Sequence, residues 1–274
     1  MEYHEIAPGT KIPKIGLGTW GMGGKQIEDK RWDEETIIAI RIAIDLGLTH
    51  IDTAEYYGAG HCEELIGQAL ESYQRDDIFL TSKVWKTNLH YENLMKSMKA
   101  SLKRLKQEYV DLYLIHWPNY QIPIKETMKA LEQCVQEGFT RYIGVSNFSA
   151  NLIQEAQYHL KESYLVTNQA EFSLIDQKPR TNLLPYLKDT NRTLIAYSPL
   201  ARGILSKLDH KKLSEISNKY RKSQTQIALN WVISHENTVA IPKSSNPIHL
   251  MEFIDASSWE MKLEDKLELT NSFI

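Results

Sequence analysis

The sequence predicts a (β/α)8 TIM barrel closed at its bottom by a short N-terminal β-hairpin, and three observations carry that prediction. Short runs of β-branched and aromatic residues recur along the chain, and segments with helical periodicity and polar outer faces lie between them. The repeat is roughly thirty residues, the length of one βα unit. No linker interrupts the series, so residues 1–274 read as one barrel domain rather than an open sheet.

The elements follow in order. Residues 2–12 contain Ala7-Pro8-Gly9-Thr10, turn chemistry flanked by residues able to pair, which predicts the hairpin. The first barrel strand is read at 14–18, and the runs at 49–52, 78–84, 110–117, 141–146, 165–170, 193–197 and 238–241 complete the barrel. Helices are read at 34–46, 63–72, 91–106, 125–137, 150–161 and 224–235, with Gly47 as the stop of the first. Pro247 can open a helix after the last strand, and 263–271 reads as the final one. Almost no C-terminal extension is expected, which leaves the mouth of the barrel comparatively open.

Composition narrows the function. With 32 basic and 35 acidic residues the chain has a net charge of only −3, and no basic block stands out, which argues against a nucleic-acid surface. Two cysteines, Cys62 and Cys134, make no disulfide framework, and no leader or long uncharged apolar stretch is visible. A cytoplasmic protein acting on small molecules is expected, with no membrane partner, as a monomer or weak oligomer.

The chemistry concentrates at strand ends. Asp52, Tyr57, Lys83 and His116 each lie at or just past the C-terminal end of a separate apolar run, and in a parallel barrel those ends share one rim. A tyrosine there can act as general acid toward a carbonyl oxygen, provided its ordinary pKa near 10 is brought down. The Lys83 ammonium is expected to lower it by roughly 1–3 pH units, with Asp52 holding the ammonium in place. His116, followed by Trp117-Pro118, closes its strand and can hydrogen-bond the same oxygen. Taken singly each residue has a structural explanation, and only their joint placement makes a device.

Other chemistries fit less well. Gly16, Gly18 and Gly21 have the spacing of a dinucleotide fingerprint, but no helix begins within the motif, and Asp52 comes much later than the acidic residue expected about 20 positions on. A metal-dependent hydrolase would pair His50 with Asp52 on one strand face, yet the chain has no His-Glu-x-x-His or His-x-His stretch. No tyrosine is followed four residues later by lysine, as a short-chain dehydrogenase would require.

The chain resembles the aldo-keto reductases, nicotinamide-dependent (β/α)8 barrels, along nearly its whole length. The resemblance rests on Gly16-Leu17-Gly18-Thr19-Trp20, His50-Ile51-Asp52-Thr53-Ala54, Leu80-Thr81-Ser82-Lys83-Val84, Ile115-His116-Trp117-Pro118, Ile143-Gly144-Val145-Ser146-Asn147-Phe148, Tyr197-Ser198-Pro199-Leu200 and Ile241-Pro242-Lys243-Ser244, in family order. It implies that Asp52, Tyr57, Lys83 and His116 are the catalytic tetrad of an NADPH-dependent reductase of aldehydes and ketones, with Tyr57 the proton donor. It further implies that Ser146, Asn147 and Gln169 bind the nicotinamide carboxamide, that Tyr197 stacks on its ring, and that Ser198 and Leu200 meet the pyrophosphate. Thr19 and Trp20, with Asp52, fall at the nicotinamide end of the cofactor site.

By the same resemblance Lys243 and Ser244 meet the adenosine 2′-phosphate, and Glu252 fits the family pattern near the adenine. The chain departs from that pattern at His249, often an arginine, and at Phe253, often an asparagine. A histidine lacks the planar fork of arginine, so NADH is expected as a weaker or dual cofactor beside NADPH. The stretch 55–64, read as a long loop with Tyr57-Gly58-Ala59-Gly60, resembles a branch that includes β-subunits of potassium channels. A non-metabolic binding subunit that keeps the cofactor is therefore the alternative. Trp20, Tyr56, Trp85, His116, Trp117 and Phe148 are expected to line a pocket suited to apolar or aromatic carbonyls.

Overall fold

The computed structural model describes residues 2–273. Strands β1 (Tyr3–Ala7) and β2 (Thr10–Pro13) form the antiparallel hairpin, turned at Gly9 with φ of 76°. The barrel strands are β3 (Leu17–Gly18), β4 (His50–Asp52), β5 (Phe79–Val84), β6 (Val110–Ile115), β7 (Thr140–Ser146), β8 (Leu165–Glu171), β9 (Thr193–Tyr197) and β10 (Thr238–Ile241), paired in parallel in sequence order. The barrel closes between its first and last strands through an Ile15–Ala240 bridge, with Gly16 N–H donating to Ala240 O at 2.9 Å and Gly18 N–H to Pro242 O at 2.9 Å.

Closure explains the glycines that mimic a dinucleotide fingerprint. A Cβ on Gly18 would lie 2.6 Å from Ile241 O, and one on Gly16 would lie 2.6 Å from His50 O, so the chain crosses here too closely for any side chain. The strand expected at 14–18 is regular only over Leu17–Gly18.

Side-chain alternation splits each strand between two apolar layers. Phe79, Leu112, Leu114, Val166, Ile195, Val239 and Ile241 point into the barrel and pack with Ile6, Ala7 and Ile12, so the hairpin plugs the N-terminal end. Their neighbours, among them Leu80, Val84, Tyr113, Ile115, Leu194 and Ala196, pack outward against the helices. Continued upward, the inward parity of Phe79 reaches Lys83, that of Leu112 and Leu114 reaches His116, and that of His50 reaches Asp52. Period two thus delivers three polar side chains to the C-terminal end of the interior.

The helices are α1 (Asp33–Asp45), α2 (His61–Leu70), α3 (Tyr91–Leu105), α4 (Ile124–Gln136), α5 (Ala150–Tyr158), α6 (Pro179–Asp189), α7 (Lys211–Tyr220), α8 (Gln224–Ile233), α9 (Pro247–Asp255) and α10 (Leu263–Ser272). Two of them, α6 and α7, have no counterpart in the sequence reading. Pro185 inside α6 masks it, and α7 is short and polar apart from Leu213 and Ile216. The stretch 55–64 is also no long loop, because a 3-10 turn over Tyr57–Gly60 leads directly into α2. Among the described residues no helix is long and apolar enough to cross a membrane.

His61 ties the starts of α1 and α2 together: Nε2 lies 2.9 Å from Asp33 Oδ1 and Nδ1 lies 2.9 Å from Glu64 Oε2. With an acceptor at each ring nitrogen, both contacts are satisfied only by the doubly protonated ring. Burial alone would lower the His61 pKa, but the hydrogen bonds to Glu64 and Asp33 outweigh it and raise the value above 6.5. A raised folded-state pKa means stabilisation that is complete below the unfolded value and disappears as pH climbs through the folded one. Urea midpoints of the native protein and His61→Gln should therefore differ most below about pH 6.5 and converge at higher pH. A gap that is constant, or widens with pH, contradicts this pairing.

Candidate active site

Asp52 ends β4, and its carboxylate is buried with both oxygens engaged. Lys83 Nζ donates to Oδ1 at 2.5 Å and Gln169 Nε2 donates to Oδ2 at 2.7 Å. Lys83, 0 % exposed, also donates to Thr53 O at 2.8 Å and to Tyr57 Oη at 3.2 Å. A buried ammonium needs every proton matched, and these three acceptors match it. Thr19, expected to meet the cofactor, donates its hydroxyl to Asp52 O at 2.8 Å and so supports β4.

The turn after β4 aims Tyr57 inward. Gly58 and Ala59 take φ of 57° and 54°, and Gly58 N–H donates to Lys25 O at 2.8 Å. A Cβ on Gly58 would fall 2.4 Å from Gly23 O, so the turn is pinned under the loop that follows β3. Tyr57 is left 8 % exposed, its ring 5.5 Å from that of His116 at an interplanar angle of 73°.

The expected acidity of this phenol is corrected by the structure. Burial pushes the Tyr57 pKa well above 10, and the negative charge of Asp52 adds to it. Lys83 is in place, but its charge is shared with Asp52, and its own pKa is lowered by burial against the pull of Asp52. The phenol is therefore a neutral donor beside a cation ready to receive the phenolate. His116 is likewise neutral, since burial and the charge of Lys83 hold its pKa well below 6.5. Its Nδ1 is buried without a hydrogen-bond partner, so a hydrogen placed on Nε2 leaves no orphaned donor.

Around this pair stands an aromatic wall. Tyr56 stacks on Trp85 with centroids 3.7 Å apart, and Trp20 is parallel to Tyr56 at 6.1 Å. Trp20 meets Tyr57 edge-on at 4.9 Å and Trp85 meets His116 edge-on at 5.1 Å. Three aligned ring planes thus stand across the two polar rings. The expected lining residues Trp20, Tyr56, Trp85 and His116 come together here, with Trp20 and the expected Trp117 about equally exposed, at 42 % and 41 %. Phe148 is buried in the larger apolar cluster, and Asn168 of β8 holds its backbone N–H and C=O.

On the far side of the rim, Asn147 takes φ of 63° and donates to His116 O at 3.1 Å and Ser146 Oγ at 2.9 Å. Tyr197 Oη donates to Asn147 Oδ1 at 2.9 Å, which sets the plane of the Tyr197 ring. Beyond Tyr197, Ser198, Ala201, Arg202 and Gly203 all have positive φ, and the loop folds tightly on itself, with Ala201 N–H donating to Ser198 O at 2.8 Å and Gly203 N–H to Leu200 O at 2.9 Å. Leu200, 9 % exposed, anchors that loop.

After β10, Ser244 Oγ lies 3.3 Å from His249 Nδ1 and accepts from Asn246 N–H at 3.0 Å, with Glu252 half-buried one helical turn on. Phe253 is buried in the outer core and offers no polar edge. Lys243 and Arg202 are exposed, and among the described residues neither forms an ion pair. Arg202 escaped the sequence reading because an exposed loop arginine has no periodic signal.

The sequence model of the aldo/keto reductase family matches residues 14–269. The chain is 36 % identical to methylglyoxal reductase YeaE of Escherichia coli (strain K12), over 93 % of this chain and 90 % of that protein. It is 35 % identical to the glyoxal reductase of Bacillus subtilis (strain 168), over 94 % of this chain and 87 % of that protein. Among solved structures, the thermostable aldo-keto reductase Tm1743 in complex with the inhibitor epalrestat superposes with a TM-score of 0.96 at 43 % identity, covering 99 % of this chain and 100 % of that one. An aldo/keto reductase from Klebsiella pneumoniae in complex with NADP and acetate gives 0.88 at 33 % identity, covering 96 % and 92 %.

Because His116 is held neutral across the ordinary histidine range, kcat/KM for carbonyl reduction should show no His116 titration between about pH 5.5 and 7.5. A pH–rate profile with a limb near 6.5 that vanishes in His116→Gln contradicts that assignment.

Proposed function

The chain belongs to the aldo/keto reductase family and reduces carbonyl compounds with NADPH, and we propose that Tyr57 is the group that protonates the carbonyl oxygen. The observation that carries this is the Lys83 Nζ–Tyr57 Oη hydrogen bond of 3.2 Å, with Asp52 at 2.5 Å behind it. NADPH, when bound, supplies a hydride from C4 of its nicotinamide.

The remaining work falls to the side chains. The carbonyl oxygen sits between Tyr57 Oη and His116 Nε2, both neutral donors in this reading. As the oxygen becomes an alkoxide, its conjugate acid is nearly as weak an acid as water, so even a phenol raised above 10 transfers its proton downhill. The resulting phenolate forms against Lys83, whose ammonium stabilises charge only at that stage. Asp52 keeps the ammonium from leaving, and the aromatic wall excludes water.

The rim suits a phosphate-bearing dinucleotide because the exposed cations Arg202 and Lys243, which form no ion pair among the described residues, follow β9 and β10. In this reading Ser146, Asn147 and Gln169 hold the carboxamide, Tyr197 carries the ring, and Ser198 and Leu200 take the pyrophosphate. Lys243 with Ser244 and His249 binds the 2′-phosphate, Glu252 the adenosine end. Small planar aldehydes are the proposed substrates. The relatives named for methylglyoxal and glyoxal support that class, and the aligned rings of Trp20, Tyr56 and Trp85 admit flat aromatic ones.

Tyr57→Phe keeps the ring and removes the proton, so kcat/KM should fall by about 10²–10⁴ while NADPH affinity, read by quenching of protein fluorescence, stays within roughly twofold. Normal turnover by the variant excludes Tyr57 as the acid. Lys243→Ala removes a charge-assisted contact and should weaken NADPH about tenfold or more, with NADH almost unaffected. Equal losses for the two cofactors would move the 2′-phosphate elsewhere.

A further inference from the structure

Glu55 precedes the tyrosine pair, and its carboxylate is spent on the neighbouring loop. Its Oε1 accepts the backbone N–H of Trp85 at 2.6 Å and the side-chain amide of Asn88 at 3.0 Å. The next residue, Tyr56, stacks on the Trp85 indole at 3.7 Å with an interplanar angle of 10°. Two consecutive residues of the β4 loop therefore grip one tryptophan of the β5 loop, one by its backbone and one by its ring. Asn119, in the loop after β6, donates to Lys86 O at 2.9 Å and braces the same segment from the other side. None of these bonds touches Tyr57, Lys83 or Asp52.

We propose that Glu55 is a specificity-determining positioning residue, whose clamp on Trp85 holds the aromatic wall upright and thereby sets how well the enzyme takes planar aromatic aldehydes relative to small dicarbonyls. The proposal rests on the pocket reading above. A hydrogen bond from a backbone N–H to a carboxylate is among the stronger neutral-to-charged contacts, and here it fixes the residue whose indole is 5.1 Å from the His116 ring. With the clamp cut, the carboxylate anchor on the Trp85 backbone is lost, while the Tyr56 stack, the Asn119 bond to Lys86 O and the Thr127 bond to Leu89 O at 2.9 Å remain, so the indole is free to tilt at its own end of the segment. A three-carbon dicarbonyl is held at the Tyr57–His116 end and makes little use of the wall. A ring-bearing aldehyde must lie along it.

The test compares benzaldehyde with methylglyoxal, each with saturating NADPH. Glu55→Ala should lower kcat/KM for benzaldehyde by about tenfold, chiefly through KM, and leave methylglyoxal within about twofold, against the hundredfold that an ångström of misplacement can cost. Glu55→Gln, whose amide oxygen accepts the same two N–H groups, should restore benzaldehyde. In a Trp85→Ala background Glu55→Ala should have no further effect on the ratio. Equal losses for the two aldehydes, an unchanged ratio, or a full effect without Trp85 would overturn the proposal. Acrylamide quenching of tryptophan fluorescence reads the clamp without turnover. It should rise in Glu55→Ala only when Trp85 is present, and unchanged quenching overturns the clamp whatever the substrates. If the native protein reduces neither aldehyde, the pocket reading fails and quenching still decides the clamp.

Discussion

A single buried ion pair organises this molecule. Lys83 and Asp52 sit at the end of the barrel interior with almost no exposure, and a charge taken that far out of water persists only if its partners are rigid and complete. Each partner is supplied by a different element. Asp52 comes from β4, the Thr53 carbonyl from the bend after it, Gln169 from β8 and the Tyr57 hydroxyl from the turn before α2. Removing any one leaves a buried donor or acceptor unpaired, so the geometry of the site and the integrity of the barrel mouth are one requirement. The hairpin below, packed against Phe79, Leu112 and Ile195, gives that mouth a solid floor.

The pair also settles what Tyr57 can be. A cation lowers a neighbouring phenol's pKa only when its field is not already cancelled, and here the carboxylate lies closer to the ammonium than the phenol does. Burial then dominates, and the phenol stays protonated. That is the state a proton donor needs before the reaction, while the ammonium acts on the product side, where the phenolate appears. His116 follows the same logic, neutral because the burial that shields it also denies it a counter-charge.

The barrel was legible because period-two alternation and thirty-residue spacing are local signals. The four polar residues stood out because each interrupts an apolar run at the same end of its strand. What escaped the sequence depends on three-dimensional neighbours. Pro185 concealed α6, and Gly16 and Gly18 imitated a phosphate loop when their real constraint is the crossing with β4 and β10. Nor could the sequence show that Asn168 of β8 holds the backbone N–H and C=O of Phe148. The sign of the Tyr57 shift could not be read either, since charge proximity is visible in spacing and desolvation is not. Glu55 carried no signal at all, for its partner is the backbone of another loop.

The account stands most directly on the protonation state of Tyr57 before any substrate arrives. An ultraviolet pH titration of the native protein minus Tyr57→Phe isolates that one phenol. No phenolate absorbance from Tyr57 is expected up to about pH 10, the point where an ordinary tyrosine is half ionised. A phenolate signal developing near neutral pH would contradict it, and would return the acidity of the site to Lys83.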